Sequence, residues 1–483
     1  MTVAARAATT LSLGQRINEL AERHPERIAV VAVDAHTGDI EQSTWAALDR
    51  QTAHVAARLA AAEGGIPVWL TITNALPDIV LLLGALRAGL LVAPLNATVP
   101  AAERERYVDA VRTAFGDGIA LTDLLDARRE LSVPPPEPVG GGWILLTGGT
   151  TGVPKPILGP EPPRWNPARG APLSLQRARW RPGQVQLVLG PLHHAAPFTS
   201  FLDGVLSGNT LVVANGYYPE LLFELIGRFH VEWLQLAPVH MTMAEPLLGE
   251  YSLNSLRAIL HTSAPCPHRT KLAWIDALGP ERVFEMYGAT EGIGTTLCDG
   301  SEWLARPGTV GRGFLTRIRI ADPSGRALRP GEVGEVWMRT VGNAGAPGSA
   351  ARAGGYRSVG DHGYLDSEGF LFLRGRGDDV VIVGGENVYL GEVEAALLRH
   401  PAVADAAVRA VEDEVYGVRL AADVVLRSGC HTDTAALKRH CREQLPEYKR
   451  PRSYRVVAEL PRNAAGKLIR NPAPTRSSLE SRT

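Results

Sequence analysis

Hydrophobic positions recur at helical spacing from Leu13 to Ala62, and a run rich in β-branched residues, Ile28–Val33, interrupts them. Apolar residues every three or four positions favour a helix with one buried face, whereas a short β-branched run favours a buried strand. Similar short runs return beside helical segments at Val68–Ile72, Leu187–Leu189, Thr210–Val213 and Ala258–His261. This alternation predicts a layered α/β domain built around buried strands.

The most apolar stretch, Ile79–Pro94, is broken by Arg87 and by two glycines, Gly84 and Gly89. It is also short for a bilayer span, which needs about 20 apolar residues. The stretch therefore predicts a buried core helix and no membrane span. The segment Leu131–Gly142, rich in proline and glycine, predicts a loop.

From Phe314 onwards the pattern changes to short alternating segments between turns that carry glycine or proline. The strand-like segments are Arg317–Ile320, Gly334–Arg339 and Gly369–Leu373. They predict a small β subdomain at the end of the large α/β domain.

A second and smaller pattern begins after Arg376. Its strand-like and helical segments are Val380–Val383, Gly391–Arg399, Ala421–Leu426, Thr432–Leu445 and Tyr454–Val457. They predict a separate small α+β domain. We therefore expect two domains, an N-terminal domain of residues 1–377 and a C-terminal domain of residues 378–483.

Composition agrees with a folded protein of more than one domain, because the 483 residues exceed what one ordinary core holds. Hydrophobic residues make up 45% of the chain and charged residues 21%, which is typical of globular proteins. The 50 Lys and Arg residues nearly balance the 51 Asp and Glu residues. No overall field therefore favours nucleic acid or an anionic membrane, and we expect neither as a partner.

The cysteines and the N-terminus indicate a cytoplasmic protein. The four cysteines lie far apart and form no zinc-spaced cluster, as in chains that work in a reducing compartment. Residues 1–14 lack the continuous apolar core of a signal peptide. The sequence leaves the oligomeric state open, a homodimer included.

The strongest local motif is the segment from Leu145 to Lys155, which reads LLTGGTTGVPK. Its glycines and threonines leave backbone N–H groups and hydroxyls free to surround phosphate, with one cation alongside. It is neither a Walker motif nor a dinucleotide motif, and the plain alternative is a polar surface turn. The candidate nucleotide ligands in it are Thr147, Gly148, Gly149, Thr150, Thr151, Gly152 and Lys155.

This motif resembles the phosphate loop T-S-G-T-T-G-x-P-K of the adenylate-forming superfamily, which comprises acyl-CoA synthetases, adenylation domains and luciferases. Residues 286–292, MYGATEG, resemble the superfamily's Y-G-x-T-E element. The resemblance implies that Tyr287 lies by the adenine, that Thr290 meets the α-phosphate and that Glu291 holds Mg²⁺, for which a carboxylate is a suitable hard ligand.

Two further motifs follow in the superfamily's order. Residues 356–361, YRSVGD, resemble its T-G-D element, which implies that Asp361 accepts the ribose hydroxyls and that Arg376 is a second ribose contact. Residues 461–467, PRNAAGK, match its P-x-x-x-x-G-K, which implies that Lys467 is the catalytic lysine. Taken singly, Glu291 could be a solvated charge, Asp361 a turn residue and Lys467 a surface lysine. The order of the four motifs favours the superfamily.

Three segments resemble CoA ligases of fatty acids, bile acids and steroid acids in particular. They read PLHHAAP at 191–197, SAPCP at 263–267 and EWLARPG at 302–308. The resemblance implies that Ser263, Ala264 and Pro265 back the adenine, and that His194 has a catalytic position at the mouth of the acyl site. The alternative for His193 and His194 is a structural pair.

The C-terminal domain carries the CoA ligase element G-G-E-N at residues 384–387. The resemblance implies that Gly384, Gly385 and Glu386 line the pantetheine tunnel and that Asp378 is the hinge. Two reactions would then share one site: the acid reacts with Mg·ATP to give an acyl-adenylate, and the CoA thiol displaces AMP. Rotation about Asp378 would exchange Lys467 for the G-G-E-N face between them.

The segments that resemble the acyl site favour a bulky, apolar acid, because their small side chains leave room and no fixed charge stands among them. The predicted pocket residues are His193, Ala195, Phe198, Ala237, Val239, Met241, Gly288 and Ala289. The alternative is that neighbouring bulky side chains fill this space.

Two departures from the superfamily pattern bear on adenylation. Gly148 stands where a hydroxyl residue is usual, and Pro156 follows Lys155 where glycine is common. Loss of one transition-state contact costs on the order of 10²–10³ in rate, so we expect a weakened adenylation step. The rival functions are a freestanding adenylation enzyme that loads a carrier-protein thiol and a non-catalytic nucleotide-binding relative.

Overall fold

The computed structural model describes residues 10–59, 66–126, 142–147, 155–159, 162–289, 292–341, 355–377, 380–383, 386–413, 417–462 and 468. Helices and strands alternate along the first half of the chain, and strands dominate the second half. The helices are α1 (Leu13–Arg23), α2 (Trp45–Leu59), α3 (Leu76–Arg87), α4 (Ala101–Phe115), α5 (Leu121–Asp126), α6 (Leu173–Arg177), α7 (Ala195–Ser207), α8 (Pro219–Phe229), α9 (Pro238–Ala244), α10 (His268–Leu278), α11 (Gly300–Ala305), α12 (Leu390–Leu398) and α13 (Thr434–Gln444).

The strands carry the sheets of both halves. They are β1 (Leu11–Ser12), β2 (Ile28–Asp34), β3 (Ile40–Thr44), β4 (Pro67–Ile72), β5 (Leu91–Asn96), β6 (Ile119–Ala120), β7 (Gly142–Thr147), β8 (Lys155–Leu158), β9 (Arg164–Trp165), β10 (Val185–Val188), β11 (Thr210–Asn215), β12 (Trp233–Leu236), β13 (Ala258–His261), β14 (Val283–Gly288), β15 (Thr295–Asp299), β16 (Thr309–Phe314), β17 (Thr316–Ala321), β18 (Gly334–Thr340), β19 (Arg357–Leu365), β20 (Phe370–Arg376), β21 (Val380–Val383), β22 (Glu386–Tyr389), β23 (Val403–Asp413), β24 (Gly417–Leu426) and β25 (Ser453–Val456).

The chain divides into two compact units, and the first consists of Met1–Ser263, Ala273–Gly292 and Asp299–Ser301. Its larger sheet has the strand order β14-β13-β12-β10-β11-β2-β3. All neighbours pair in parallel except β2 and β3. This confirms the predicted α/β class, because parallel neighbours need crossover connections.

A second sheet of the first unit has the order β6-β4-β5-β7-β8, with β7 and β8 antiparallel. The core beside it includes Trp45 and Leu48 of α2 and Ile79 and Leu82 of α3, all fully buried. The hydrophobic pattern of this region therefore reflects burial of whole helix faces.

The expectation of one helix over Ile79–Pro94 is wrong in its second half. Helix α3 ends at Arg87 and β5 begins at Leu91. Gly89 has φ 79°, the Leu90 N–H donates to Ala85 at 3.1 Å, and the Gly89 N–H donates to Leu86 at 3.1 Å. This is the Schellman arrangement, in which a glycine in the left-handed region ends a helix.

The second unit consists of Ala264–Leu272, Ile293–Cys298 and Glu302–Thr483. It contains the predicted β subdomain as antiparallel strands in the order β15-β16-β20-β19-β18-β17. Trp303, from the EWLARPG segment, is nearly buried there, with the ring of His268 at 4.8 Å and Lys271 Nζ at 5.2 Å. That segment therefore has a packing role.

The C-terminal elements confirm the predicted small α+β fold. β23 and β24 pair antiparallel, β25 joins β24 in parallel, and β21 with β22 forms a hairpin. The core contains Val393 of α12, Val408 of β23, Val424 of β24 and Leu437 of α13, each fully buried. The domain boundary at residue 377 stays a prediction.

Within the described residues, no helix has both the length and the apolar character needed to cross a membrane.

Candidate active site

The carboxyl edge of the larger parallel sheet collects residues that are far apart in sequence. His194 follows β10, Ala237 follows β12, Ser263 follows β13, and Gly288 ends β14. Because these strands are parallel, their carboxyl ends lie at one edge of the sheet, the usual place for ligand sites in open α/β sheets. The structure thus brings four of the predicted segments to the same edge.

The predicted adenine-side residues are accessible. Ser263, Ala264 and Pro265 are all exposed, whereas Tyr287 is half-buried. Ser263 has φ 82°, a left-handed conformation that is uncommon for a residue with a Cβ. Such backbone outliers cluster at active sites and ligand clamps, so this one supports a functional position for the segment.

Two residues that flank the predicted phosphate loop are described. Thr147 ends β7 and Lys155 begins β8, and the two face each other in the register of this antiparallel pair. Lys155 is exposed. The phosphate loop therefore connects two antiparallel strands, unlike a Walker loop, which connects a strand to a helix.

Several predicted residues lie outside the described residues, and their roles stay predictions. They are Gly148, Gly149, Thr150, Thr151, Gly152, Thr290, Glu291, Asp378, Gly384, Gly385 and Lys467. Glu386 is described only as the backbone partner of Val383 in the β21–β22 hairpin.

His193 and His194 form the turn between β10 and α7. Their rings lie 4.3 Å apart, and the His194 N–H donates to Pro191 at 3.0 Å. Both ring nitrogens of His193 are buried without a hydrogen-bond partner among the described residues. Burial, with a smaller contribution from His194, lowers the pKa of His193 to about 3. His193 is therefore a neutral imidazole at physiological pH.

Two polar residues at this edge escaped sequence reasoning because no motif contains them. Tyr217 follows β11, and its hydroxyl donates to the carbonyl of His240 in α9 at 2.9 Å. The two rings lie 4.6 Å apart. Burial lowers the pKa of His240 to about 4. The one available signal was that Tyr217 follows a strand of the parallel sheet and that His240 lies in the helix that follows another.

A buried histidine and a glutamate lie close together on the neighbouring strands β13 and β14. His261, the last residue of β13, is fully buried, and its Nε2 lies 3.8 Å from Oε2 of Glu285 in β14. Glu285 precedes Tyr287 by two residues on the same strand. The pair therefore joins two of the strands whose ends carry predicted site residues.

Two of the predicted pocket walls belong to the core of the first unit. Phe198 is fully buried, with its ring 5.5 Å from that of Trp143. Met241 is also fully buried, and its carbonyl accepts the indole N–H of Trp274 at 3.0 Å. The other predicted pocket residues, Ala195, Ala237, Val239, Gly288 and Ala289, are half-buried or exposed. The acyl pocket itself stays a prediction.

The second unit brings the two predicted ribose contacts together. Asp361 of β19 and Arg376 of β20 are register partners, with Arg376 Nη1 3.9 Å from Asp361 Oδ1. The side chain of Arg376 is 47% exposed and that of Asp361 17%. A carboxylate acceptor beside a guanidinium donor fits a ribose diol.

Two family profiles match most of the chain. Residues 17–116 and 117–346 match the AMP-binding enzyme family, and residues 392–467 match the AMP-binding enzyme C-terminal domain. The chain belongs to the AMP-binding enzyme family. The predicted superfamily is thus confirmed, and the C-terminal match lies inside the domain predicted over residues 378–483.

Curated relatives of this AMP-binding enzyme include CoA ligases. It is 28% identical to 2-succinylbenzoate–CoA ligase of Bacillus licheniformis, covering 94% of this chain and 98% of the relative. It is 32% identical to the 2-succinylbenzoate–CoA ligase of Geobacillus kaustophilus, covering 68% of this chain and 67% of the relative. Sulfoacetate–CoA ligase of Cupriavidus necator is 29% identical, with coverages of 81% and 83%.

Solved structures resemble this AMP-binding enzyme over nearly its full length. o-Succinylbenzoate CoA synthetase of Bacillus subtilis, in complex with the acyl-adenylate intermediate, matches with a TM-score of 0.77 and 25% identity over 96% of this chain and 98% of that one. The same synthetase with ATP and magnesium matches with a TM-score of 0.76, 25% identity and coverages of 96% and 99%. These matches support ATP, Mg²⁺ and CoA as its cofactors.

Proposed function

We propose that this AMP-binding enzyme joins a bulky carboxylic acid to CoA through an acyl-adenylate, using ATP and Mg²⁺. The observation that carries the proposal is the carboxyl edge of the parallel sheet, where His194, Ala237, Ser263 and Gly288 converge. Full-length similarity to CoA ligases supports the same reaction.

The roles of the reacting groups follow from the motifs. Lys467 neutralises charge that develops as the carboxylate reacts at the α-phosphate, and a preorganised cation is effective where water is excluded. Glu291 supplies the carboxylate for Mg²⁺, and Thr290 contacts the α-phosphate. Asp361 and Arg376 hold the ribose through the cross-strand pair.

The electrostatics of the edge support a substrate with one charged group, the reacting carboxylate. The loops at 189–194 and 216–218 contain no lysine, arginine, aspartate or glutamate. His193 and His240 have pKa values of about 3 and 4, so neither supplies a cation at neutral pH. In these two loops the ammonium of an amino-acid substrate would find no carboxylate as a counter-ion, and an unpaired buried ammonium is costly.

The small side chains along the edge favour a bulky acid as the substrate. Ala195, Ala237, Gly288 and Ala289 each occupy little volume at the ends of their elements. A largely apolar acid gains about 0.8 kcal/mol for each methylene it buries. The proposed acid is therefore a long-chain or polycyclic acid.

The test is a comparison of AMP and CoA-thioester formation with acetate, benzoate, 2-succinylbenzoate, palmitate and cholate. We expect kcat/KM for palmitate or cholate to exceed that for acetate by roughly 10²-fold or more, because the larger acids bury several more methylene groups. A preference for acetate or benzoate would overturn the bulky-acid proposal. Acid-dependent pyrophosphate exchange without AMP release or a CoA thioester would show an adenylate that CoA does not accept, and would favour a carrier-protein thiol as the acceptor.

A further inference from the structure

Asn74 adopts a backbone conformation that few residues tolerate. It lies between β4 and α3, has φ 73°, and is only 4% exposed. Residues with a Cβ rarely occupy this left-handed region, although asparagine does so more readily than most. The conformation aims the Asn74 side chain away from its own strand and into the neighbouring sheet.

The side-chain amide of Asn74 bonds to two other segments. Its Nδ2 donates to the carbonyls of Gly190 and Ala214, each at 3.1 Å, and its Oδ1 accepts the Leu192 N–H at 2.9 Å. Two carbonyls and one N–H fix the orientation of the amide. One side chain thus ties the loop after β4 to the loop after β10 and to the end of β11.

The loop after β10 also packs closely against helix α7. A Cβ at Gly190 would lie 2.9 Å from Cγ of Pro197 in the first turn of α7. Leu192 is fully buried, and the next two residues are His193 and His194. The segment that carries the two histidines is therefore bonded to Asn74 through Leu192 and packs against α7.

We propose that Asn74 is a positioning residue, which fixes the His193–His194 turn at the acid-binding edge. The proposal rests on the proposed function, because the edge is the expected acid site. Without the Asn74 amide, Leu192 N–H and the two carbonyls lose their partner, and buried backbone groups do not stay unpaired at low cost. The loop would then move and take the histidine turn with it.

Asn209 provides a matched control. It is fully buried, its Nδ2 donates to Gln186 Oε1 at 3.1 Å, and its Oδ1 accepts the Gly183 N–H at 2.9 Å. It precedes β11 and pairs with the start of β10, so it lies at the amino edge of the same two strands. A variant there perturbs a similar amide at the edge remote from the proposed site.

The experiment compares Asn74→Asp with Asn209→Asp. Each change keeps the acceptor oxygen Oδ1 and replaces the donating Nδ2 with a carboxylate oxygen. That oxygen then faces the oxygen atoms that accepted the hydrogen bonds of Nδ2. We expect Asn74→Asp to raise KM for palmitate or cholate roughly tenfold, a loss of about 1.4 kcal/mol, while KM for ATP stays within about twofold. Asn209→Asp should lower the thermal midpoint of unfolding by about as much as Asn74→Asp does. It should leave the KM values for the acid and for ATP within about twofold of the wild-type values.

Equal effects of the two variants, or a parallel rise of both KM values in Asn74→Asp, would overturn the proposal. Amide hydrogen exchange of the peptide 189–197 provides a readout that needs no turnover. Asn74→Gly keeps the left-handed backbone and should speed this exchange roughly tenfold, whereas Asn209→Gly should not. Unchanged exchange in Asn74→Gly would refute the positioning role. If the wild-type enzyme uses none of the acids, the proposed function fails. Amide hydrogen exchange of peptide 189–197 then still tests whether Asn74 positions the histidine turn.

Discussion

His193 and His240 show how burial sets the chemistry of single residues at the sheet edge. Desolvation lowers the pKa of His193 to about 3 and that of His240 to about 4, because the charged form loses its hydration. At neutral pH both rings can donate or accept a hydrogen bond, but neither can pair with an anion. These two rings therefore make their part of the edge polar without adding charge.

The lowered pKa of His193 predicts a pH-dependent stability. An unfolded histidine has a pKa of about 6.5, so between this value and about 3 the unfolded chain binds more protons than the folded chain. The free energy of unfolding therefore falls as pH drops, by at most about 2 kcal/mol from this residue between pH 7 and 5. His193→Gln should remove that part of the fall in urea denaturation at both pH values.

His54, an exposed residue of α2, supplies the control for this measurement. His54→Gln makes the same substitution at this exposed position, so its pH dependence of unfolding is the reference for that of His193→Gln. The same pH dependence in both variants would show that His193 does not titrate with a lowered pKa.

Gly148 gives a second prediction for a single residue. A hydroxyl at this position would add one donor to phosphate oxygens, and loss of such a donor costs on the order of 10²–10³ in rate. Gly148→Ser should therefore raise the rate of pyrophosphate exchange, measured with the preferred acid. Gly148→Ala adds similar bulk without the hydroxyl and should give no gain. Fast exchange in the wild type, with no gain from serine, would show that the departure is neutral.

For whole elements, periodicity predicted most of the fold. The β-branched runs at Ile28–Val33, Val68–Ile72 and Thr210–Val213 are strands β2, β4 and β11 with small shifts at their ends. The predicted helix Gly391–Arg399 is α12, which begins and ends one residue earlier. Such patterns work because one face or the whole of each element is buried in a continuous core.

The errors have local causes. The strand within Ile79–Pro94 was taken as helix because a short apolar run has no periodicity of its own, although Gly89 marks the helix end. Strand β3 was not predicted because its partly exposed residues, Ile40–Thr44, carry no apolar run. Asn74, Tyr217 and His240 were missed because their contacts join segments that are distant in sequence.

Gly204 in α7 predicts a packing effect within one helix. A Cβ there would meet Gln186 Oε1 and would lie 2.6 Å from Cδ2 of Leu211, and the Gln186 amide is already bonded to Ser200 at 2.9 Å. Gly204→Ala should therefore destabilise the fold by about 1–3 kcal/mol, as overpacking does. Guanidinium denaturation measures the change.

The control for this helix is Gly227 in α8. It is exposed, and a Cβ there would meet no atom within 4 Å. Gly227→Ala should stabilise the protein by about 0.5–1 kcal/mol, because alanine loses less backbone entropy in a helix. A stabilising Gly204→Ala would mean that α7 moves away from β10 at little cost.

For the whole molecule, the two proposed reactions need different catalytic groups at the same site, and we propose that the C-terminal domain turns about Asp378 between them. Proline fixes φ near −65°, so Asp378→Pro should restrict this rotation. We expect one half-reaction to collapse while the other survives. The measurements are adenylate formation with ATP, and thioester formation from a synthetic acyl-adenylate and CoA.

Lys467→Ala is the comparison for Asp378→Pro, because it removes a cation without restricting the backbone. It should abolish adenylate formation and leave thioester formation from the supplied adenylate. Unchanged turnover of Asp378→Pro in both assays would place the hinge at another residue.

The parallel sheet also separates the residues that hold the enzyme together from those that we propose select its acid. The strands β10, β12 and β13 are almost wholly buried. By contrast, His194, Ala237 and Ser263, which follow them, are half-buried or exposed. Loops tolerate replacement better than the buried strands that carry them. New substrates could thus be accepted by changing a handful of positions at the ends of strands and the starts of helices. We expect a combinatorial library limited to Ala195, Ala237, Val239 and Ala289 to explore specificity with little cost to the scaffold.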